Sequence, residues 1–438
     1  MAASKTFDNL HLSIIGLGTQ YPAQSLGSDA IDILSRKHYP SSPTLDKVLS
    51  INRTTGIDAR PSVWAADDAL VSQQRTPSIS ELHQTFLRDG VPLAVAAADK
   101  AVREAMIDIS QITHIVSVTC TDSANPGFDH FVAKGLGITH PVEKVLLHGV
   151  GCSGGLAALR TGANLALGCT ALGRPARVLC LSLEITSVLV RSELDSINDG
   201  QEVRIGVCLF SDCASALVLS NGIGSPQSRA VYDILGWDHS VVPGTEDDLG
   251  FDVDPSGWKV ILTPRVPRLT KSVVSPTFER LKASLRQLPP GLELAGDFDW
   301  AMHPGGATVL SGAEEALGIS PEHMRASYDV YIRHGNSSSA TIFSVLDRLR
   351  SREMDKLAPD GGRRQHIVGC AFGPGVTVEM CMLRRNLGPE DGGAAGLETP
   401  PATASDDVAD AALEPGRDDA DKRPAVIVEA LEQLELAG

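Results

Sequence analysis

Along the first 385 residues the apolar positions switch between two rhythms. Short runs such as LSIIGLG (Leu12–Gly18), THIVSVTC (Thr113–Cys120), KVLLHGVG (Lys144–Gly151) and RVLCLSLEIT (Arg177–Thr186) are bounded by glycine or polar turns and read as strands. Between them, VPLAVAAADKAVREAM (Val91–Met106) and SGGLAALRTGANLALG carry the three-to-four-residue spacing of helices. The alternation predicts an α/β fold with sheets covered by helices. The second half echoes the first. DFDWAMHPGG (Asp297–Gly306) is again a strand running into a Gly-Gly turn, and ATVLSGAEEALGI follows as a helix. CLFSDCASALVLSNG closes the first half, and GCAFGPGVTVEMCMLRR repeats the device as a tight turn followed by an alternating strand. Two related halves, 1–225 and 226–385, are expected, with their strand ends gathered around one shared site.

The pattern stops near Asn386. Residues 386–438 hold 13 acidic and 3 basic side chains, so ten of the sixteen net negative charges of this 438-residue chain sit in its last 53 residues. This stretch is rich in Gly, Pro, Ala and Asp and cannot bury enough surface to offset chain entropy, so a disordered acidic tail is expected. Its end, AVIVEALEQLELAG, could form a short amphipathic helix on contact with a partner. The acidic balance argues against a nucleic-acid-binding surface. No apolar run reaches the roughly 18 residues of a membrane span, and the N-terminus lacks the features of a secretory signal. Eight cysteines without a CxxC pair, and no HExxH, indicate neither a disulfide scaffold nor a zinc site. A soluble, cytoplasmic protein is expected.

The sharpest chemical feature is LLHGVGCSGGLAALR. Cys152 stands between an apolar strand and a helix, among Gly149, Gly151, Gly154 and Gly155, where unpaired N–H groups and the helix dipole favour a thiolate. This is a nucleophile elbow with cysteine in place of serine, although a buried, inert cysteine among packing glycines fits the same residues. Gly149, Gly151 and Gly154 also form GxGxxG, with Glu184 ending the next strand. The distance to Glu184 exceeds the ~20 residues of a dinucleotide fingerprint, and a cysteine occupies space a pyrophosphate would need. His303, in WAMHPGG, ends a strand at what looks like the corresponding place in the second half, and Asn336, in RHGNSSSATIF, lies 33 residues further on. Alone, His303 is an ordinary strand-end histidine and Asn336 an N-cap. With Cys152 they make a coherent set: a thiolate to hold an acyl group, two donors for an enolate or oxyanion, and a cationic His303 to lower the thiol pKa. FGPG (Phe372–Gly375) is a rigid turn. Phe210 and Phe251 read as core residues more readily than as gates, and Arg53 and Arg60 flank a short polar segment able to hold a phosphate, though exposed arginines usually need no ligand.

GVGCSGGLAALR, AMHPGG, HGNSSSA and AFGPGVTVE, in this order and at these spacings, resemble the type III (chalcone-synthase-like) polyketide synthases. SLEIT and LFSDCASALVL fit between the first two motifs, so the resemblance covers residues 10–385. Among family members, fungal 2'-oxoalkylresorcylic acid synthases look most similar. The resemblance implies a thiolase-like αβαβα layered fold and a homodimer. It also implies iterative decarboxylative condensation of malonyl-CoA onto an acyl-CoA starter, with no cofactor, no metal and no acyl carrier protein. Carried over by motif, Cys152 takes the starter as a thioester, and His303 with Asn336 holds the malonyl thioester carbonyl. Phe210 gates the cavity, while Phe251, Ser338 and the turn at Gly373 and Pro374 line it. Arg53 and Arg60 match basic positions that hold CoA phosphates. One departure is Val260, in GWKVILT, where plant members place a second phenylalanine, which leaves room for a long or medium acyl starter and closure to an alkylresorcylic acid, alkylresorcinol or alkylpyrone. Three rivals share the residues: a ketoacyl synthase that uses a carrier protein, a cysteine hydrolase with papain-like Cys–His–Asn order, and a silent acyl-binding protein of the same fold.

Overall fold

A computed structural model of the chain describes residues 6–387, apart from 66, 225–228, 255–256 and 287. The expected acidic tail and its terminal helix lie outside the described residues from 388 onward. Nine strands form the main sheet: β1 (Ser13–Gln20), β2 (His114–Val118), β3 (Glu143–Leu147), β4 (Arg177–Ile185), β5 (Asp212–Ser220), β6 (Tyr232–Val241), β7 (Asp299–Met302), β8 (His366–Gly373) and β9 (Thr377–Arg385). Their order is β7-β8-β9-β6-β1-β5-β4-β2-β3. Running outward from the short β1·β6 contact, both directions repeat one scheme. β1 pairs antiparallel with β5, β5 antiparallel with β4, and β4 parallel with β2. Likewise β6 pairs antiparallel with β9, β9 antiparallel with β8, and β8 parallel with β7. The topology is therefore duplicated, and it revises one equivalence: the strand that leads to His303 matches β2, not the β3 strand that leads to Cys152.

Strand side chains alternate between two faces, and here each face enters a different apolar cluster. On β4, Leu179, Leu181 and Leu183 meet the helix Val91–Glu104, while Val178 and Cys180 point to the opposite side, toward the helix Gly154–Ala171. On β9, Val378, Met380 and Met382 meet the helices Val266–Ser284 and Ala307–Leu317, while Cys381 and Leu383 face the helix Thr341–Leu349. Three clusters between helix, strand, helix, strand and helix make five layers, the αβαβα arrangement. The expected alternating pattern of β9 is absent because both of its faces are covered; the strand is buried almost throughout. Glycine sets the closeness of one outer layer. A Cβ at Gly16 or Gly18 would lie 2.1 Å from the Ala101 carbonyl or 2.2 Å from that of Ala97, so the helix Val91–Glu104 sits directly on β1. No helix among the described residues is long and apolar enough to cross a membrane.

Candidate active site

The two helices of the central layer, Gly154–Ala171 and Thr341–Leu349, meet at their N-terminal ends. A Cβ at Gly154 would stand 2.5 Å from Val118 Cγ2 and 2.9 Å from Ser339 Cβ; one at Gly155 would stand 2.4 Å from Ile342 Cγ2 and 2.6 Å from the Ser339 carbonyl. The glycines of GCSGG are thus filled by protein, which leaves no cradle for a pyrophosphate and disposes of the dinucleotide reading. Backbone contact at this crossing brings the segment Asn336–Ser339 over the turn Gly151–Ser153 that carries Cys152.

The Cys152 thiol donates to Ser338 Oγ at 3.5 Å, and the Cys120 sulfur lies 3.3 Å from the same oxygen. Ser338 is fully buried at φ +49°, a conformation unusual for serine, and its N–H donates to Asn336 Oδ1 at 2.8 Å. Asn336 stands one residue before Ser337, the N-cap of the turn Ser338–Ala340, and its Nδ2 donates to the Gly305 carbonyl at 3.3 Å. Gly305 in turn abuts His303, since a Cβ there would lie 3.7 Å from His303 Nε2. The backbone N–H of His303 donates to the Cys370 carbonyl at 2.8 Å, extending the β7·β8 pairing to fix the ring at the strand end. Cys152, Asn336 and His303 so converge through Ser338 and Gly305.

Two expectations about charge are corrected. Burial lowers His303 to about 3, and neither ring nitrogen has a hydrogen-bond partner among the described residues, so the imidazole is neutral rather than cationic. Burial also pushes the Cys152 thiol up to about 11; hydrogen bonding to Ser338 and Asn336 opposes the rise and the charge of Glu184 adds to it. The helix end does not overcome desolvation, and the resting site holds an uncharged thiol and an uncharged imidazole. Only about one molecule in 10⁴ then carries a thiolate at pH 7, against a few per cent for a free cysteine. Labelling of Cys152 by iodoacetamide, followed by peptide mass spectrometry, is expected to accelerate about tenfold per pH unit from 7 to 10. A plateau below pH 9 would contradict this.

The FGPG turn packs on the turn that carries Cys152. A Cβ at Gly151 (φ +46°) would lie 2.6 Å from Pro374 Cδ, and one at Gly373 would lie 2.3 Å from Ser153 Oγ, so Gly373 and Pro374 hold the elbow from behind. Phe210 is tied to the site through its neighbours: Asn336 N–H donates to the Leu209 carbonyl at 2.9 Å, and Ser211 N–H to that of Asn336 at 3.0 Å. The rings of Phe210 and Phe251 lie 6.2 Å apart. Phe210 also borders a small, largely apolar pocket, lined among others by Leu26, Ile31, Thr186, Val190, Val207 and Val260. Arg53 and Arg60 do not come together. Arg53 is exposed and paired with Asp32 at 2.7 Å. Arg60, 4% exposed, lies in a short strand that turns it inward to donate to the Val207 carbonyl, so the expectation that it meets a CoA phosphate is corrected.

Residues 50–223 match the N-terminal domain of chalcone and stilbene synthases, and residues 237–386 match the C-terminal domain. The chain belongs to this family. Its members include the acylalkylpyrone synthase CsyB of Aspergillus oryzae, which is 40% identical over 380 residues, covering 85% of this chain and 94% of that protein. The crystal structure of a type III pentaketide synthase from Neurospora crassa is 63% identical, with a TM-score of 0.85, over 86% of this chain and all of that one. A structure of CsyB complexed with CoA-SH superposes with a TM-score of 0.81 at 40% identity, over the same 86% of this chain and all of that one. This type III polyketide synthase is an acyltransferase with the thiolase-like fold.

The polyketide synthase site also contains Cys120, which no motif marks, and Glu184, which the sequence offered only as the acidic residue of a dinucleotide fingerprint. Glu184, fully buried, accepts from the Cys120 N–H at 3.1 Å, the Thr121 hydroxyl at 3.0 Å and the Ser339 hydroxyl. Burial raises its pKa despite these bonds. Glu184 thereby ties the end of β2 to the segment carrying Ser338, and Cys120 sits beside Cys152, both sulfurs meeting the Ser338 oxygen. The signal available was positional: Cys120 follows β2 as His303 follows β7.

Proposed function

We propose that this enzyme extends a long- or medium-chain acyl-CoA with malonyl-CoA by iterative decarboxylative Claisen condensation, and then cyclises the chain to an alkylresorcylic acid, alkylresorcinol or alkylpyrone. The observation that carries the reading is the convergence of Cys152, His303 and Asn336 where the two central helices cross. Cys152 Sγ attacks the starter thioester, its proton passes to the neutral His303 imidazole, and CoA thiolate leaves and takes that proton. Malonyl-CoA then places its thioester oxygen on the His303 and Asn336 N–H groups. As CO₂ departs, the bonding pair moves onto that oxygen as an enolate, which donors preorganised in a buried site bind better than the carbonyl. The enolate carbon attacks the Cys152 acyl carbonyl, and the C–S bond breaks to expel Cys152 as a thiolate and leave the extended chain as its CoA thioester; that thiolate takes the chain up again for the next cycle and CoA departs. No strong base is required.

In this reading the chain of the starter enters the apolar pocket beside Phe210, and the relative named an acylalkylpyrone synthase supports an acyl starter. The first half, 1–225, supplies Cys152; the second, 226–385, supplies His303 and Asn336. A homodimer in the cytoplasm completes the reading, and light scattering of the full chain should return twice 46.2 kDa. Product analysis with malonyl-CoA and starters of graded chain length is expected to show condensed products without any carrier protein. Release of free acid alone would favour the hydrolase, and no CO₂ without a carrier the ketoacyl synthase.

A further inference from the structure

Beside the pocket lies a two-stranded ribbon, Leu249–Asp254 paired with Gly257–Leu262, that belongs to neither half of the main sheet. It carries Phe251 toward Phe210, and its register sets Val260 directly opposite Phe251. A ribbon of two strands has little stability of its own, so its position depends on how it is docked. Its base is held by the Gly375 N–H, which donates to the Leu249 carbonyl at 2.8 Å.

Its other anchor is built from charge. Glu193, 2% exposed on the helix Val190–Gly200, accepts the Val260 N–H at 2.9 Å through Oε1. Arg204 donates from Nη1 to the Val260 carbonyl at 2.8 Å, and its guanidinium lies 3.5 Å from the same carboxylate oxygen. One largely buried ion pair thus grips both backbone polar groups of a single residue. The grip seats Val260 in a notch, because a Cβ at Gly206 would lie 2.9 Å from Val260 Cγ2 and 3.3 Å from the Phe210 ring. Val260, Gly206, Phe210 and Glu193 all line the pocket. A charged pair is costly to bury for packing alone, and here it fixes the wall of the cavity and the height of Phe251 above Phe210.

We propose that Glu193 and Arg204 are positioning residues for starter selection: they lock the ribbon onto the pocket so that Val260 and Phe251 close around the acyl chain. The inference rests on the reading that the chain occupies this pocket. Arg204→Gln and Glu193→Gln are the test, each assayed with acetyl-CoA and with a long-chain acyl-CoA as starter. Without the lock, kcat/KM for the long starter relative to acetyl-CoA is expected to fall about tenfold, through KM rather than kcat, since a charge-assisted hydrogen bond to a buried group is lost. Hydrogen exchange of the ribbon amides should rise in parallel. An unchanged ratio despite faster exchange, or an equal loss for both starters, would overturn the proposal. Val260→Trp separates this from the underlying reading. If filling the pocket leaves chain-length preference intact, the acyl chain lies elsewhere; if it shortens the preferred starter while the two glutamine variants do nothing, the lock alone is wrong.

Discussion

Cys152→Ala is expected to give no acyl adduct when the protein is incubated with a long-chain acyl-CoA, and condensed products should fall by at least about 10³-fold. The wild-type chain, treated in the same way, should gain the mass of one acyl group. The size of the effect follows from the site. Cys152 is the thiol that shares its serine with Asn336's partner network, and condensation needs the starter covalently held while the enolate forms. Cys120 offers an internal control, since its sulfur lies 3.3 Å from the same Ser338 oxygen. Burial raises its pKa well above that of an ordinary thiol, with Glu184 and Cys152 adding to the shift. It therefore rests as a neutral thiol that donates to Glu184 at 3.3 Å, and no adduct on it is expected in the alanine variant. A stable adduct on the alanine variant, read by intact-protein mass spectrometry, would reassign the nucleophile.

Asn336→Ala and His303→Gln are expected to slow malonyl-CoA decarboxylation by about 10²- to 10³-fold, the usual cost of removing one oxyanion donor, while acyl loading persists in Asn336→Ala. The two differ in kind. Asn336 spends Oδ1 on the Ser338 N–H and Nδ2 on the Gly305 carbonyl, so its amide is held in one orientation before substrate arrives. His303 has no hydrogen-bond partner for either ring nitrogen among the described residues, and its neutral state is the one that can both accept the thiol proton and donate to an enolate. His303→Gln should therefore lose loading as well as decarboxylation. Trapping of CO₂ from labelled malonyl-CoA, measured beside adduct formation, distinguishes these outcomes. Decarboxylation undiminished in both variants would remove them from the oxyanion site.

Much of this was legible because it was local. The strand, the glycines and the helix around Cys152 lie within about 25 residues, and each of their periods survives in one dimension. His303 and Asn336 became persuasive only as a set in a familiar order, since each alone has an ordinary structural explanation. Other parts depended on direction and depth. Arg60 stands seven residues from Arg53 and looks like its companion, but strand pairing with Gln24–Gly27 turns it inward while Arg53 stays in solvent. Glu184 and Cys120 are 64 residues apart and meet only because β4 lies beside β2. The charge of His303 was misjudged for the same reason: a histidine at a strand end looks exposed until the layers close over it.

Taken alone, the chain determined its alternation of strands and helices, the glycine-flanked setting of Cys152 and the order of its family motifs, because hydrophobic period and local spacing are properties of neighbouring residues. The folded molecule decided the rest: which glycines let two helices touch, which arginine faces inward, and that thiol and imidazole are both uncharged at rest. Those depend on desolvation and on contacts between segments hundreds of residues apart, which no window of sequence contains.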